Sequence, residues 1–111
     1  MSPAPATPTD IHEATCSADG SGGVQRGRSL TRTEAIARRQ IGGDVVVCGL
    51  NPFATAREAR LIESSVGPCI PDGPHLNAAG ALALPHFQQR LPPPKGHTFF
   101  ETPIRKAVET T

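Results

Sequence analysis

The sequence predicts an α+β domain: a small, mostly antiparallel sheet packed on one main helix, with a short helix before it. Three observations carry this expectation. Asp44 to Cys48 is a continuous β-branched run, Asp-Val-Val-Val-Cys, as expected of a strand buried on both faces. Asn51-Pro52 opens a stretch in which Ala56, Ala59, Ile62 and Val66 fall on one side at helical spacing. From Pro71 onward, turn chemistry and a proline linker separate two short apolar stretches, the pattern of an antiparallel hairpin.

A chain of 111 residues holds one small domain. Residues 1–29 are dominated by Ser, Pro, Ala, Thr and Gly, and only Ile11 and Val24 are suited to a core. They read as a disordered leader, because such sparse burial does not offset an ordering entropy of roughly 1–2 kcal/mol per residue. The compact unit is expected over residues 30–105, with 106–111 as a C-terminal tail. Thr31 with Glu34 has the form of a capping box, so a short helix follows and Gly42-Gly43 ends it. The valine-rich strand comes next, then a helix from Pro52 to about Ser65, stopped by Gly67-Pro68. Phe53 falls off the apolar stripe of that helix and is expected over the mouth of a cleft rather than in the core. Cys69-Ile70 reads as a second strand completing a βα(β) unit. Leu82–Arg90 and His97–Glu101 then form the hairpin across Leu91-Pro-Pro-Pro-Lys-Gly96.

Four Phe and no Trp or Tyr make a thin core, and a net charge of +1 argues against a strongly basic nucleic-acid binder. One stretch departs from that balance. Between Val24 and Gln40 lie Arg26, Arg28, Arg32, Arg38 and Arg39 against Glu34 alone, which reads either as a solvated arm or as a phosphate-attracting edge. Cys16, Cys48 and Cys69 contain no CxxC pair, so neither a disulfide framework nor a structural zinc site is indicated, and Cys48 reads as a small core group. The first residues lack the basic and apolar regions of a signal peptide, and no apolar run approaches a membrane span. The chain standing alone therefore reads as cytoplasmic. Phosphate-loop, dinucleotide and nucleophile-elbow patterns are missing, and no cofactor is expected.

The chemistry is expected in the C-terminal part, where histidines occur as Gly-Pro-His75, Leu-Pro-His86-Phe-Gln and Gly-His97-Thr-Phe-Phe. Pairing of the two strands brings His86 and His97 together, with His75 on the loop before them. Alternation places His86 with Leu84 and Gln88, and His97 with Phe99 and Glu101. Two imidazoles meet the needs of metal-free RNA cleavage: a neutral one takes the 2′-hydroxyl proton and a charged one protonates the 5′-oxygen. Arg90 and Lys95 are the candidate phosphate cations, and Gln88 and Thr98 the candidate hydrogen-bonding groups for phosphate or base. Acid and base are not assigned between His86 and His97. Two alternatives stay open. One is an interaction module in which Leu82–Phe87 and Phe99–Phe100 form a partner surface and the histidines are structural. The other is a metal site of His75, His86 and His97, with Cys69, Asp72 or water as the fourth ligand.

Taken together, Asp44-Val-Val-Val-Cys-Gly, Asn-Pro with Ala56-Arg57-Glu-Ala-Arg, Gly73-Pro-His75, Leu84-Pro-His86-Phe-Gln and Gly96-His97-Thr-Phe-Phe resemble small C-terminal modules of bacterial polymorphic (Rhs-type) toxins and their stand-alone relatives. The resemblance covers roughly residues 32–101. It implies an effector nuclease with its catalytic role on His75, His86 and His97, delivered to another cell where it belongs to a secreted system. An RNA substrate and an immunity-type protein partner accompany that reading. His86 is followed by Phe87-Gln88-Gln89, where a further polar or histidine position is expected.

Overall fold

The computed structural model describes residues 9–16, 23–73 and 83–109. Among them run β1 (Asp10–Cys16), β2 (Val24–Leu30), α1 (Arg32–Gln40), β3 (Asp44–Cys48), α2 (Pro52–Val66), β4 (Cys69–Asp72), β5 (His86–Gln89), β6 (Thr98–Phe100) and β7 (Val108–Glu109). The strands form one sheet in the order β4-β5-β6-β3-β1-β2-β7. Its pairings are antiparallel except β3 with β6 and β2 with β7. The fold is therefore α+β, with a mostly antiparallel sheet, one main helix and a short helix before it.

Local chemistry accounts for the helices. Both halves of the capping box at α1 are made: the Glu34 amide donates to Thr31 Oγ1 at 3.1 Å, and Glu34 Oε1 accepts from the Thr31 amide at 2.9 Å. At α2, Asn51 Oδ1 accepts from the amides of Phe53 and Ala54, and Pro52 occupies the first turn, where no amide donor is required. The buried side of α2 carries Thr55, Ala59, Ile62 and Glu63, so the helix offers the sheet polar groups as well as apolar ones.

β3 sits near the middle of the sheet and is buried on both faces, as its valine run predicts. Val45 and Val47 join Ile11, Leu30, Ala35, Ala59, Ile62 and Phe87 on the helix side. Val46 and Cys48 join Ala14, Val24, Leu84, Phe99 and Ala107 on the other side. β4 follows α2 and runs parallel to β3 but does not touch it, because the β5–β6 hairpin lies between them. The βα(β) unit is thus split by the hairpin. That hairpin pairs His86 with Phe99 and Phe87 with Thr98.

Two segments differ from the sequence expectation. Much of the stretch read as a leader is sheet: β1 pairs with β3 over Asp10–Ala14 and with β2 over Ile11–Cys16. Ile11 and Val24 are its anchors, one on each face, and β3 supplies an edge on which β1 completes its backbone hydrogen bonds. In the stretch read as a tail, β7 pairs with β2 and Ala107 is buried.

The arginine-rich stretch is ordered and neutralised. Arg26 pairs with Glu109, Arg28 with Glu13 and Glu34, Arg32 with Glu58, Arg38 with Glu13, and Arg39 with Glu63. Neither a solvated arm nor an open phosphate-attracting edge describes it, because folding brings acidic partners from distant parts of the chain.

Candidate active site

The side of the sheet away from the helices holds the histidines. β5 places His86 on that face, and the residue before β6 places His97 beside it, with ring centroids 4.6 Å apart and planes at 74°. Phe99 supports both rings, its centroid 5.2 Å from each. The pairing the sequence anticipated is present in the geometry.

The two imidazoles differ in their surroundings. Only 1% of His86 is exposed, whereas 36% of the His97 side chain is. Burial and the neighbouring His97 push the His86 pKa below its ordinary value of 6.5, against the opposing pull of Gln88 and Asp72. His86 Nε2 lies 3.2 Å from Gln88 Oε1 and 3.9 Å from Asp72 Oδ2. His97 is held through its backbone, whose amide donates to Asp44 Oδ1 at 2.7 Å. The same oxygen is 3.4 Å from His97 Nδ1, a buried atom without a hydrogen-bond partner. Burial raises the Asp44 pKa, but the contacts from His97 outweigh that and hold the carboxyl below its ordinary value.

This arrangement depends on one glycine. Gly96 has φ +100°, and a Cβ there would stand 2.9 Å from Asp44 Oδ1 and 2.7 Å from Arg39 Nη1. Glycine therefore lets the chain turn into β6 while His97 reaches Asp44. Beneath the turn, Arg39 donates to the carbonyls of Gly43 and Lys95, tying the proline linker to the start of β3.

His97 lines a groove of about 250 Å³ with Gln88, Gln89, Pro92, Pro94, Lys95 and Gly96. Lys95 and Gln88 thus share that groove with His97. Arg90 is exposed and is not among the residues lining that groove. Thr98 is a correction: alternation turns it to the helix side, where its fully buried hydroxyl donates to Glu63 Oε1 at 2.7 Å. His75 and Leu82 lie outside the described residues.

The alternative readings also meet the geometry. Leu84, Phe87 and Phe99 are buried, and Phe100 stacks on Phe87 at 5.5 Å, so these residues belong to the core rather than to an open partner surface. Cys69 packs against the helix-side cluster while His86 faces the other way, so the two do not share a ligand set. Among the described residues, no group of three His, Cys, Asp or Glu is placed to hold a metal ion. The Cys48 thiol is pushed up to about 11, first by burial and then by Glu101, so it is not a ready nucleophile. Phe53 is 79% exposed and lines a surface groove with Arg57, Glu58 and Leu61.

Comparison with known proteins gave no match, whether to a family model, a curated protein or a solved structure. Among the described residues, no helix is long and apolar enough to cross a membrane.

Two site residues escaped the sequence reading of the acid–base pair. Asp72 comes opposite His86 through the β4–β5 register. Asp44 comes beside His97 through the parallel β3–β6 pairing, in which Val45 faces Thr98. Neither proximity has a local signal, because each depends on pairing between distant segments.

Proposed function

We propose that the chain is a metal-independent ribonuclease that cleaves single-stranded RNA by histidine acid–base catalysis. The observation that carries this reading is the contact between the His86 and His97 rings, 4.6 Å apart beside a groove that also presents Lys95. Two touching imidazoles resist holding two charges, so one neutral and one charged ring is the working state. Burial makes His86 the neutral member and therefore the base. His97, on the groove, is then the acid. Gln88 lines the groove and meets His86 Nε2 through its Oε1 at 3.2 Å, so the base role requires that contact to open and the neutral ring to carry its proton on Nδ1.

In the reaction the 2′-oxygen attacks phosphorus and its proton passes to His86. The bond from phosphorus to the 5′-oxygen breaks, and that oxygen takes a proton from His97. Lys95 offsets the charge gathering on the phosphorane. The products are a 2′,3′-cyclic phosphate and a 5′-hydroxyl. The likeness to Rhs-type toxin modules supports the same reading and adds an immunity-type protein as the expected partner.

The test is cleavage of single-stranded RNA with a chelator present. The wild-type chain is expected to leave cyclic phosphate ends, and His86→Ala and His97→Ala each to lose about 10²–10⁴-fold in rate. Equal inactivity of wild type and the double variant overturns the reading.

A further inference from the structure

We propose that Asp44 is the positioning residue of this site, fixing the His97 proton on Nδ1 and so presenting Nε2 as the atom that exchanges protons with substrate. The inference deepens the acid–base reading and rests on it for its functional meaning. Its geometric basis is separate.

Three observations carry it. First, His97 Nδ1 is buried and has no hydrogen-bond partner, although 36% of the side chain is exposed. The sheltered nitrogen is therefore the one facing inward. Second, the nearest charged acceptor is Asp44 Oδ1 at 3.4 Å, already fixed by the His97 amide at 2.7 Å. A buried nitrogen left without a partner is costly, and a small turn of the ring closes this distance to a hydrogen bond. Third, a carboxylate only accepts hydrogen bonds. A bare lone pair on Nδ1 facing it would be repelled, so Nδ1 must carry the proton. The hydrogen bond made by one ring nitrogen then decides the state of the other. Nε2 is left as the donor in the charged ring and as the acceptor once its proton has gone.

The surroundings hold Asp44 in this role. Cys16 Sγ lies 3.9 Å from its Oδ2, Arg38 donates to its backbone carbonyl at 2.7 Å, and Arg39 attracts its charge from the helix side. Gly96 leaves the room in which Oδ1 meets the backbone amide and Nδ1 of His97, since a Cβ would stand 2.9 Å from that oxygen.

Imidazole ¹⁵N NMR on the full chain, at a pH where His97 is neutral, tests this without any substrate. The wild-type spectrum is expected to show the Nδ1–H form of His97 as the major species. Asp44→Ala shifts the majority to Nε2–H. Asp44→Asn keeps an oxygen in place and restores the Nδ1–H form, which guards against a variant that merely fails to fold. A wild-type His97 carrying its proton on Nε2 overturns the inference directly, as does a tautomer unmoved by Asp44→Ala. Cleavage assays on the same proteins separate the two ideas. An Nδ1–H ring in a chain that cleaves no RNA leaves Asp44 as the orienting partner and removes the ribonuclease. Cleavage lost in His97→Ala, with the proton found on Nε2, does the reverse.

Discussion

The two faces of the sheet both bury charged or titratable side chains, and they do so in opposite ways. On the helix side Arg39 and Glu63 are wholly buried and fully engaged. Arg39 gives both Nε and Nη2 to the Glu63 carboxylate and Nη1 to two backbone carbonyls. Glu63 also accepts from Thr98 and Gln89. On the far side His97 leaves a buried nitrogen without a bond and opens part of its ring to a groove. A closed network in low dielectric fixes one arrangement. On the far side the sheltered Nδ1 of His97 faces Asp44 one contact short of such closure, while another part of the ring opens to the groove. The contrast marks the helix side as architecture and the far side as the candidate site, although both draw on neighbouring residues of the same two strands.

The largest stability effect should come from opening the closed network. Glu63→Ala strands Arg39 in the core and is expected to cost about 3–5 kcal/mol, read as the unfolding free energy in urea. Replacing both partners by apolar residues, as in Arg39→Met with Glu63→Leu, should cost far less, because no uncompensated charge remains. A double variant as unstable as the single one would mean that the network does more than cancel its own charges. The next effect joins the two faces. Gly96→Ala forces a side chain into a left-handed conformation and against both Arg39 and Asp44, with an expected cost of about 1–3 kcal/mol. Its His97 ring should also lose the environment set by Asp44, which the chemical shifts of that ring report. A stable Gly96→Ala protein with an unchanged His97 signal would separate faces that the structure joins.

Much of this fold is legible in short windows of sequence. Thr31 with Glu34, Asn51 with Pro52, and the run Val45-Val46-Val47 each act through neighbours within a few residues, so pattern alone locates them. The β5–β6 hairpin, and with it the meeting of His86 and His97, is legible for the same reason. β1 and β2 are not. Their residues include His12, Glu13, Thr15, Gln25, Arg26 and Arg28; β1 becomes a strand because β3 offers an edge about 30 residues away, and β2 because β1 then offers the next. The position of Thr98 shows a finer failure. Hydrogen-bonding capacity marked it as a substrate contact, while strand alternation turned it toward Glu63, a partner from the opposite wall of the core. Asp44 shows the converse, since its local setting is only a strand start and its role depends on a parallel partner more than 50 residues later.

The smallest effect expected is in the response to acid, and it sharpens the comparison because its first step belongs to the far face. His86 has a folded pKa below its unfolded value of 6.5. Above that value the ring is neutral in both states and stability does not depend on it. As the pH falls below about 6.5 the unfolded chain takes a proton that the folded chain resists, so stability declines until folded His86 is charged as well. Asp44 acts lower on the scale. Its carboxylate contributes fully above the unfolded value of 3.8, and that contribution is lost as the pH falls through its lower folded value. Urea midpoints measured across this range should therefore fall in two separate stages. His86→Leu should abolish the upper stage and leave the lower one. Asp44→Asn should shrink the lower stage, to which the capping carboxylate Glu34 also contributes, and leave the upper one. If the upper stage survives in His86→Leu, the cost of charging does not arise at the buried imidazole, and the neutral base assigned to the far face loses its physical ground.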